Sequence, residues 1–192
     1  MLQLSPRLTQ NLIFTQNEAI AIQPFDARIR RDAYITSIKY PFILGGTIAG
    51  TVVAVGDKVT KFQVGDRVVS DTPVYKKRET KYGGWQKYVV GRESISSNIG
   101  NAPFDQAVAL PFPLQTAVGA LHVYMGMELP STAPASVAKE KVLIWGAGGS
   151  VGGYAVQFAK SVGYTGKRFL SSPAKVYLLT DSSDCHSVTS RI

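Results

Sequence analysis

Short runs of β-branched residues, punctuated by glycine pairs, dominate the first half of the chain. Residues 42–44 are apolar and run into Gly45-Gly46. Residues 48–55 (IAGTVVAV) end at Gly56-Asp57, residues 58–64 end at Gly65-Asp66, and residues 67–70 (RVVS) follow. Gly83-Gly84 precedes one more such run at 85–90. This pattern predicts strands joined by tight turns, and a small twisted β-barrel or sandwich is the simplest assembly.

The pattern changes near Asp105. Residues 107–110, Leu114, Ala117, Val118 and Leu121 recur at helical spacing. Pro111 and Pro113 are expected to bend or interrupt that helix. Residues 128–140, with Pro130 and Pro134, read as a surface loop. Residues 141–145 (KVLIW) carry a short apolar run, as expected of a parallel strand covered on both faces. Val151, Tyr154, Ala155, Phe158, Ala159 and Val162 then mark one apolar face of a helix over 150–162. Lys160 near its end suits the helix dipole, and Gly163 can terminate it.

Between that strand and that helix lies Gly146-Ala147-Gly148-Gly149-Ser150-Val151-Gly152-Gly153. Glycines there let backbone N–H groups approach a pyrophosphate, and the helix N-terminus adds unpaired donors and partial positive charge. The strict Gly-x-Gly-x-x-Gly spacing is met loosely, because Val151 stands where the third glycine would fall and Gly152 comes one residue later. Two readings stay open: a phosphate cradle, or a turn that only packs strand on helix.

Composition bounds the rest. The 192 residues carry a net charge of +8, with clusters at Arg28/Arg30/Arg31 and Lys76/Lys77/Arg78/Lys81. These fit solvated loops or a surface for a phosphate-bearing cofactor. Nucleic-acid binding has only charge to support it, so no nucleic-acid partner is expected. No apolar run approaches the roughly 18–20 residues of a membrane span, so no membrane partner is expected. The single cysteine, Cys185, excludes an intrachain disulfide and a zinc site built from several thiolates. With no apolar signal core near the N-terminus, a reducing, cytoplasmic location is expected.

The ordered motifs resemble the medium-chain dehydrogenase/reductase superfamily. They are Pro41-Phe-Ile-Leu-Gly-Gly with Ala49-Gly-Thr-Val-Val-Ala-Val-Gly56, Val64-Gly-Asp-Arg-Val68, Gly84-Trp-Gln-Lys-Tyr-Val89 and the run from Trp145 to Gln157. They cover roughly residues 17–164, and they look most like fungal zinc-independent quinone reductases and trans-acting enoyl reductases. The resemblance implies a fold of α/β plus β type. A chaperonin-10-like β domain with a linking helix would span residues 1–122, followed by a Rossmann-type dinucleotide-binding domain over 123–192. It further implies an oxidoreductase that uses NADPH to reduce a conjugated carbonyl or quinone, a small-molecule substrate.

Zinc-dependent relatives place a His-Glu pair where this chain has Gly46-Thr47, and a cysteine ligand where it has Gln23-Pro-Phe-Asp26. No zinc site is therefore expected. By the same resemblance, Arg28 replaces a substrate-cleft lysine, although it also reads as a surface arginine after a turn. Thr116 matches a threonine beside the nicotinamide, although its hydroxyl can equally bond its own helix. The cofactor-binding set is then Thr116, Gly146, Ala147, Gly148, Gly149, Ser150, Val151 and Gly152. The resemblance assigns no proton donor.

Family similarity ends at Thr165, and residues 166–192 form an atypical tail. The dinucleotide domain therefore reads as incomplete, since such a domain is built from two βαβαβ halves. Residues 175–180 are apolar enough for one strand. Asp181, or Ser171 and Ser172, are weak candidates to read the cofactor's ribose. The chain expressed alone is expected to self-associate and to lack measurable reductase activity. A catalytically inactive fragment, or a non-enzymatic interaction protein retaining the β domain, is the alternative to an active enzyme.

Overall fold

The computed structural model describes residues 11–32, 34–130, 139–169 and 178–179. The chain divides into two units, Met1–Phe112 and Pro113–Ile192.

The first unit is built on a five-stranded antiparallel sheet. Its strands are β1 (Leu12–Ala21), β2 (Thr47–Val55), β3 (Arg67–Asp71), β4 (Tyr88–Arg92) and β5 (Ser96–Asn98), in the order β4-β1-β2-β3-β5. Adjacent residues on β3 point to opposite faces, and both faces are covered. Val68 packs with Ile13, Val52 and Phe62, while Val69 packs with Ala49, Ala107 and Val108. The register of β1 against β2 shifts between Asn17 and Ala19. There the Gln16 carbonyl comes so close to Gly50 that any side chain on Gly50 would collide with it.

Several segments depart from the pattern along the chain. Residues 58–64 form a loop rather than a strand. A distant carboxylate replaces the ladder, because Glu93 accepts the N–H groups of Thr60 at 2.7 Å and Lys61 at 2.5 Å. Those bonds hold the Glu93 carboxyl below its usual range, the Lys61 bond most. A helix, α1 (Pro24–Asp32), occupies the segment read as a turn. Proline suits its first position, and Asp26 reaches back to the Gln23 N–H at 2.7 Å, the acceptor half of a capping box. The run at 85–90 yields a strand only from Tyr88, at β4.

A short helix, α2 (Val74–Lys77), follows β3. Toward the end of the unit, α3 (Phe104–Ala107) and α4 (Pro111–Val118) are separate helices. Pro111 and Pro113 lie in the first turn of α4, where a missing N–H costs nothing, so they start a helix instead of bending one. A π-helical stretch, Gly119–Tyr124, continues it. Residues Phe104–Tyr124 together have the length and mean hydropathy, 1.2, of a weak membrane-span candidate. They are nevertheless three pieces. Ala107 and Val108 are buried in the core of the first unit, and Ala117 and Leu121 in that of the second.

The second unit contains a strand–helix–strand element: β6 (Lys139–Trp145), α5 (Ser150–Ser161) and β7 (Tyr164–Phe169). β6 and β7 pair in parallel, Leu143 opposite Lys167. Residues 166–169, assigned on sequence to the atypical tail, therefore extend the parallel sheet. A two-residue strand, β8 (Leu178–Leu179), adds antiparallel to β7. The remainder of the 175–180 run lies outside the described residues, as do Ser171, Ser172, Asp181 and Cys185. Ala155, Phe158 and Val162 of the α5 segment pack with Ala117, Leu121 and Met127, with Val142 and Ile144 against that core. The alternate residues of β6, Leu143 and Trp145, are 61% and 69% exposed.

Candidate functional site

The glycine loop takes the form of a strand-to-helix phosphate turn. β6 ends at Trp145, and Gly146 follows with φ +75°, a conformation that costs a side-chain-bearing residue free energy. The Gly149 N–H bonds Gly146 O at 3.0 Å, and Gly149 caps α5. The Gly153 N–H to Gly149 O, at 2.8 Å, closes the first turn. The N–H groups of Ser150, Val151 and Gly152 fall within that turn, where helices leave donors without intrahelical partners. The turn carries no acidic residue. Gly148, Gly149, Ser150 and Val151 are exposed.

Gly152 does the work of a third glycine one residue late. A Cβ there would collide with Gly146 O and stand 2.8 Å from Ala147 Cα. The helix can lie this close to the loop only without a side chain at 152. These features fit a pyrophosphate: exposed backbone donors, no competing carboxylate, and glycine wherever a Cβ would intrude.

Thr116 lies on α4 and is exposed, one residue before Ala117, whose buried side chain packs in the same core as α5. Thr116 and the loop residues therefore belong to the second unit. Arg28 belongs to the first. It is exposed on α1, with its guanidinium 5.1 Å from the centroid of the Tyr34 ring.

Sequence reasoning missed a second group, around Gly45-Gly46. The Gly84 N–H bonds Gly45 O at 2.7 Å, and the Thr72 N–H bonds Gly46 O at 2.5 Å. The Gly45 N–H donates to Tyr75 Oη at 2.9 Å, and Tyr75 Oη donates to Asp26 Oδ1. The backbone is thereby pinned, and the open side of Gly46 faces Tyr75, Asp71 and Phe112. The ring of Phe25 lies 5.3 Å from that of Tyr75 and 6.0 Å from that of Phe112. Burial raises the Asp71 carboxyl to about 6, against a weaker opposing effect of its Thr47 hydrogen bond. Burial, and then the bond to Asp26, hold the Tyr75 phenol well above its usual range. The available sequence signal was slight: a carboxylate closing the β-branched run at 67–70.

Similarity to known proteins identifies the family. Residues 10–100 match the alcohol dehydrogenase GroES-like domain. The chain is 37% identical over 164 residues to "Dehydrogenase pigH" of Monascus ruber, covering 80% of this chain and 44% of that protein. It is 36% identical over 144 residues to "Trans-enoyl reductase himH" of Aspergillus japonicus, covering 74% of this chain and 42% of that protein. The chain belongs to the medium-chain dehydrogenase/reductase superfamily. Its structure also superposes on the Pseudomonas syringae pv. Tomato DC3000 quinone oxidoreductase, with a TM-score of 0.64 and 28% identity, over 90% of this chain and 49% of that one. The chain thus spans about half the length of these relatives. Within the superfamily it falls with the enoyl reductase-like branch.

Proposed function

We propose that the protein serves NADPH-dependent reduction of a conjugated carbonyl, enoyl or quinone compound, without zinc and in the cytoplasm. The observation that carries this reading is the glycine turn at the start of α5, with donors exposed and no acid in its first turn. When bound, the dinucleotide supplies the hydride. The N–H groups of Ser150, Val151 and Gly152 would hold its pyrophosphate, and Gly146 and Gly148 would let it approach the backbone. Thr116 is assigned to the nicotinamide and Arg28 to the substrate.

Zinc independence is supported by what surrounds Gly46. Two aromatic rings and the single carboxylate of Asp71 surround the place, too few ligands for zinc, and among the described residues no three His, Cys, Asp or Glu side chains gather to hold a metal. The partner is a small molecule, with neither nucleic acid nor membrane.

One observation favours a second reading, a non-catalytic protein that retains the β domain. The outer face of β6 exposes Leu143 and Trp145, a surface suited to association. NADPH consumption with an enone, measured on the 192-residue chain and on a chimera continued past Thr165 with a relative's second half, separates the two. The reductase reading expects turnover by the chimera and little or none by the chain alone. A soluble, folded chimera that reduces neither enone nor quinone supports the second reading.

A further inference from the structure

Among the described residues of the first unit four carboxylates are wholly or partly buried, and three are committed to the architecture, Asp66 by accepting the Gln63 N–H at 2.9 Å. Asp26 accepts the Gln23 N–H on Oδ2 and the Tyr75 hydroxyl on Oδ1. Glu93 accepts two backbone N–H groups on Oε1. Asp71 differs. Among the described residues its carboxyl accepts one bond, a long one of 3.4 Å from Thr47 Oγ1. A buried carboxylate with so few donors is poorly solvated, so it holds its proton more tightly than an exposed one.

Its surroundings show where that proton can go. A Cβ placed on Gly46 would stand 3.7 Å from Asp71 Oδ1, 3.5 Å from Tyr75 Cε2 and 3.9 Å from Phe112 Cδ2. These are ordinary contact distances, so Gly46 leaves room for a methyl-sized group between one carboxyl oxygen and two aromatic edges. Asp71, Tyr75 and Phe112 are each partly open to solvent. Thr47 comes from β2, Tyr75 from α2 and Phe112 from the start of α4. Only Tyr75 of these ionises, and burial and its bond to Asp26 keep it protonated. No cation among them would hold Asp71 as a carboxylate, and burial raises its carboxyl to about 6.

We propose that Asp71 is the acid that hydrogen-bonds and then protonates the carbonyl oxygen of the conjugated substrate. This rests on the reductase reading and supplies the proton donor that reading lacks. A protonated carboxyl donates to the carbonyl oxygen, whereas a carboxylate cannot. As hydride adds to the β-carbon, the C=C pair shifts toward the carbonyl and the C=O pair becomes an enolate oxygen. The Asp71 O–H bond breaks and the enol O–H bond forms. The enol then takes a proton from water at the α-carbon and returns its O–H proton to water. The Asp71 carboxylate is reprotonated from solvent.

The test uses the intact 192-residue chain and benzalacetone, a conjugated enone whose absorption band shifts red when its carbonyl accepts a hydrogen bond. Carbon-13 NMR should show one aspartate carboxyl titrating near 6, absent in Asp71→Asn. Benzalacetone should bind roughly tenfold more tightly at about pH 5 than at about pH 8, with the red shift confined to the acid side. Asp71→Asn keeps an N–H donor, so its binding should be flat across that range. Three results would each overturn the assignment: binding by the native chain that ignores pH, a pH dependence that persists in Asp71→Asn, or an Asp71 carboxyl that titrates with the ordinary aspartates. None of these readouts needs turnover. An idle chimera combined with an intact Asp71 signature would therefore refute the reductase reading and still support Asp71 as the carbonyl's donor.

Discussion

The two units treat a sheet's second face in opposite ways. On β3, neighbouring Val68 and Val69 are both buried, one on each side of the sheet. On β6, Ile144 packs toward the α5 core, while Leu143 and Trp145 face outward at 61% and 69% exposure. An antiparallel sheet can be finished by its own loops and short helices, as α3 finishes one face with Ala107. A parallel sheet needs a covering helix on each face, and the described residues supply one. Residues 141–145 read on sequence as a strand covered on both faces, whereas Leu143 and Trp145 are exposed.

The contrast can be broken most severely in the finished unit. Gly50→Val drives a side chain into the Gln16 carbonyl across a strand pair. It should cost about 3 kcal/mol or more in chemical unfolding, because neither backbone can move alone. Within β6 the comparison is sharper. Ile144→Ala should cost about 2 kcal/mol, and Leu143→Ala no more than about 0.5 kcal/mol, measured the same way. Equal losses at the two positions would mean that something covers the outer face.

Asp71 offers a pH-dependent version. Its folded value, about 6, lies above the ordinary 3.8, so the folded state holds the proton longer than the unfolded chain. Asp71 therefore costs no stability below about pH 4, and its cost grows between about pH 4 and the folded value of about 6 and is constant above it. Asp71→Asn should stabilise the first unit by about 1–2 kcal/mol at neutral pH and by nothing in acid, as read from melts across that range. The smallest effect on stability belongs to the pair Leu143→Lys and Trp145→Lys. It should leave unfolding nearly unchanged yet move the chain to a later, monomeric elution volume in size-exclusion chromatography.

What the sequence made legible follows the range of the forces involved. β2, β3, β6 and α5 were visible because β-branched runs and one helical stripe signal locally. β1 was not, since Thr15, Gln16, Asn17 and Glu18 interrupt its apolar alternation. Asn17 is held by its side-chain amide, which donates to Gly84 O and Gln86 O, nearly seventy residues away in the chain. The loop at 58–64 was misread for the same reason, because its acceptor, Glu93, lies far along the chain. The glycine turn was legible down to the late position of Gly152. The reason that position suffices, the approach of Gly146 O, required the fold. Asp71 carried no usable local signal. Its character comes from Gly46, Tyr75 and Phe112, which only the tertiary structure brings to it.

The proposed role of the Gly146–Gly152 turn is to bind a nicotinamide dinucleotide. Titration calorimetry of the 192-residue chain with NADPH tests it directly, alongside Gly152→Val, whose side chain would fill the gap between helix and loop. NADPH should bind saturably and weakly, with little preference over NADH. That binding should be lost in Gly152→Val, while hydrogen-exchange protection of β1 to β4 stays intact. A folded chain that shows no saturable binding, or a Gly152→Val chain that binds NADPH as well as the native one, would contradict it.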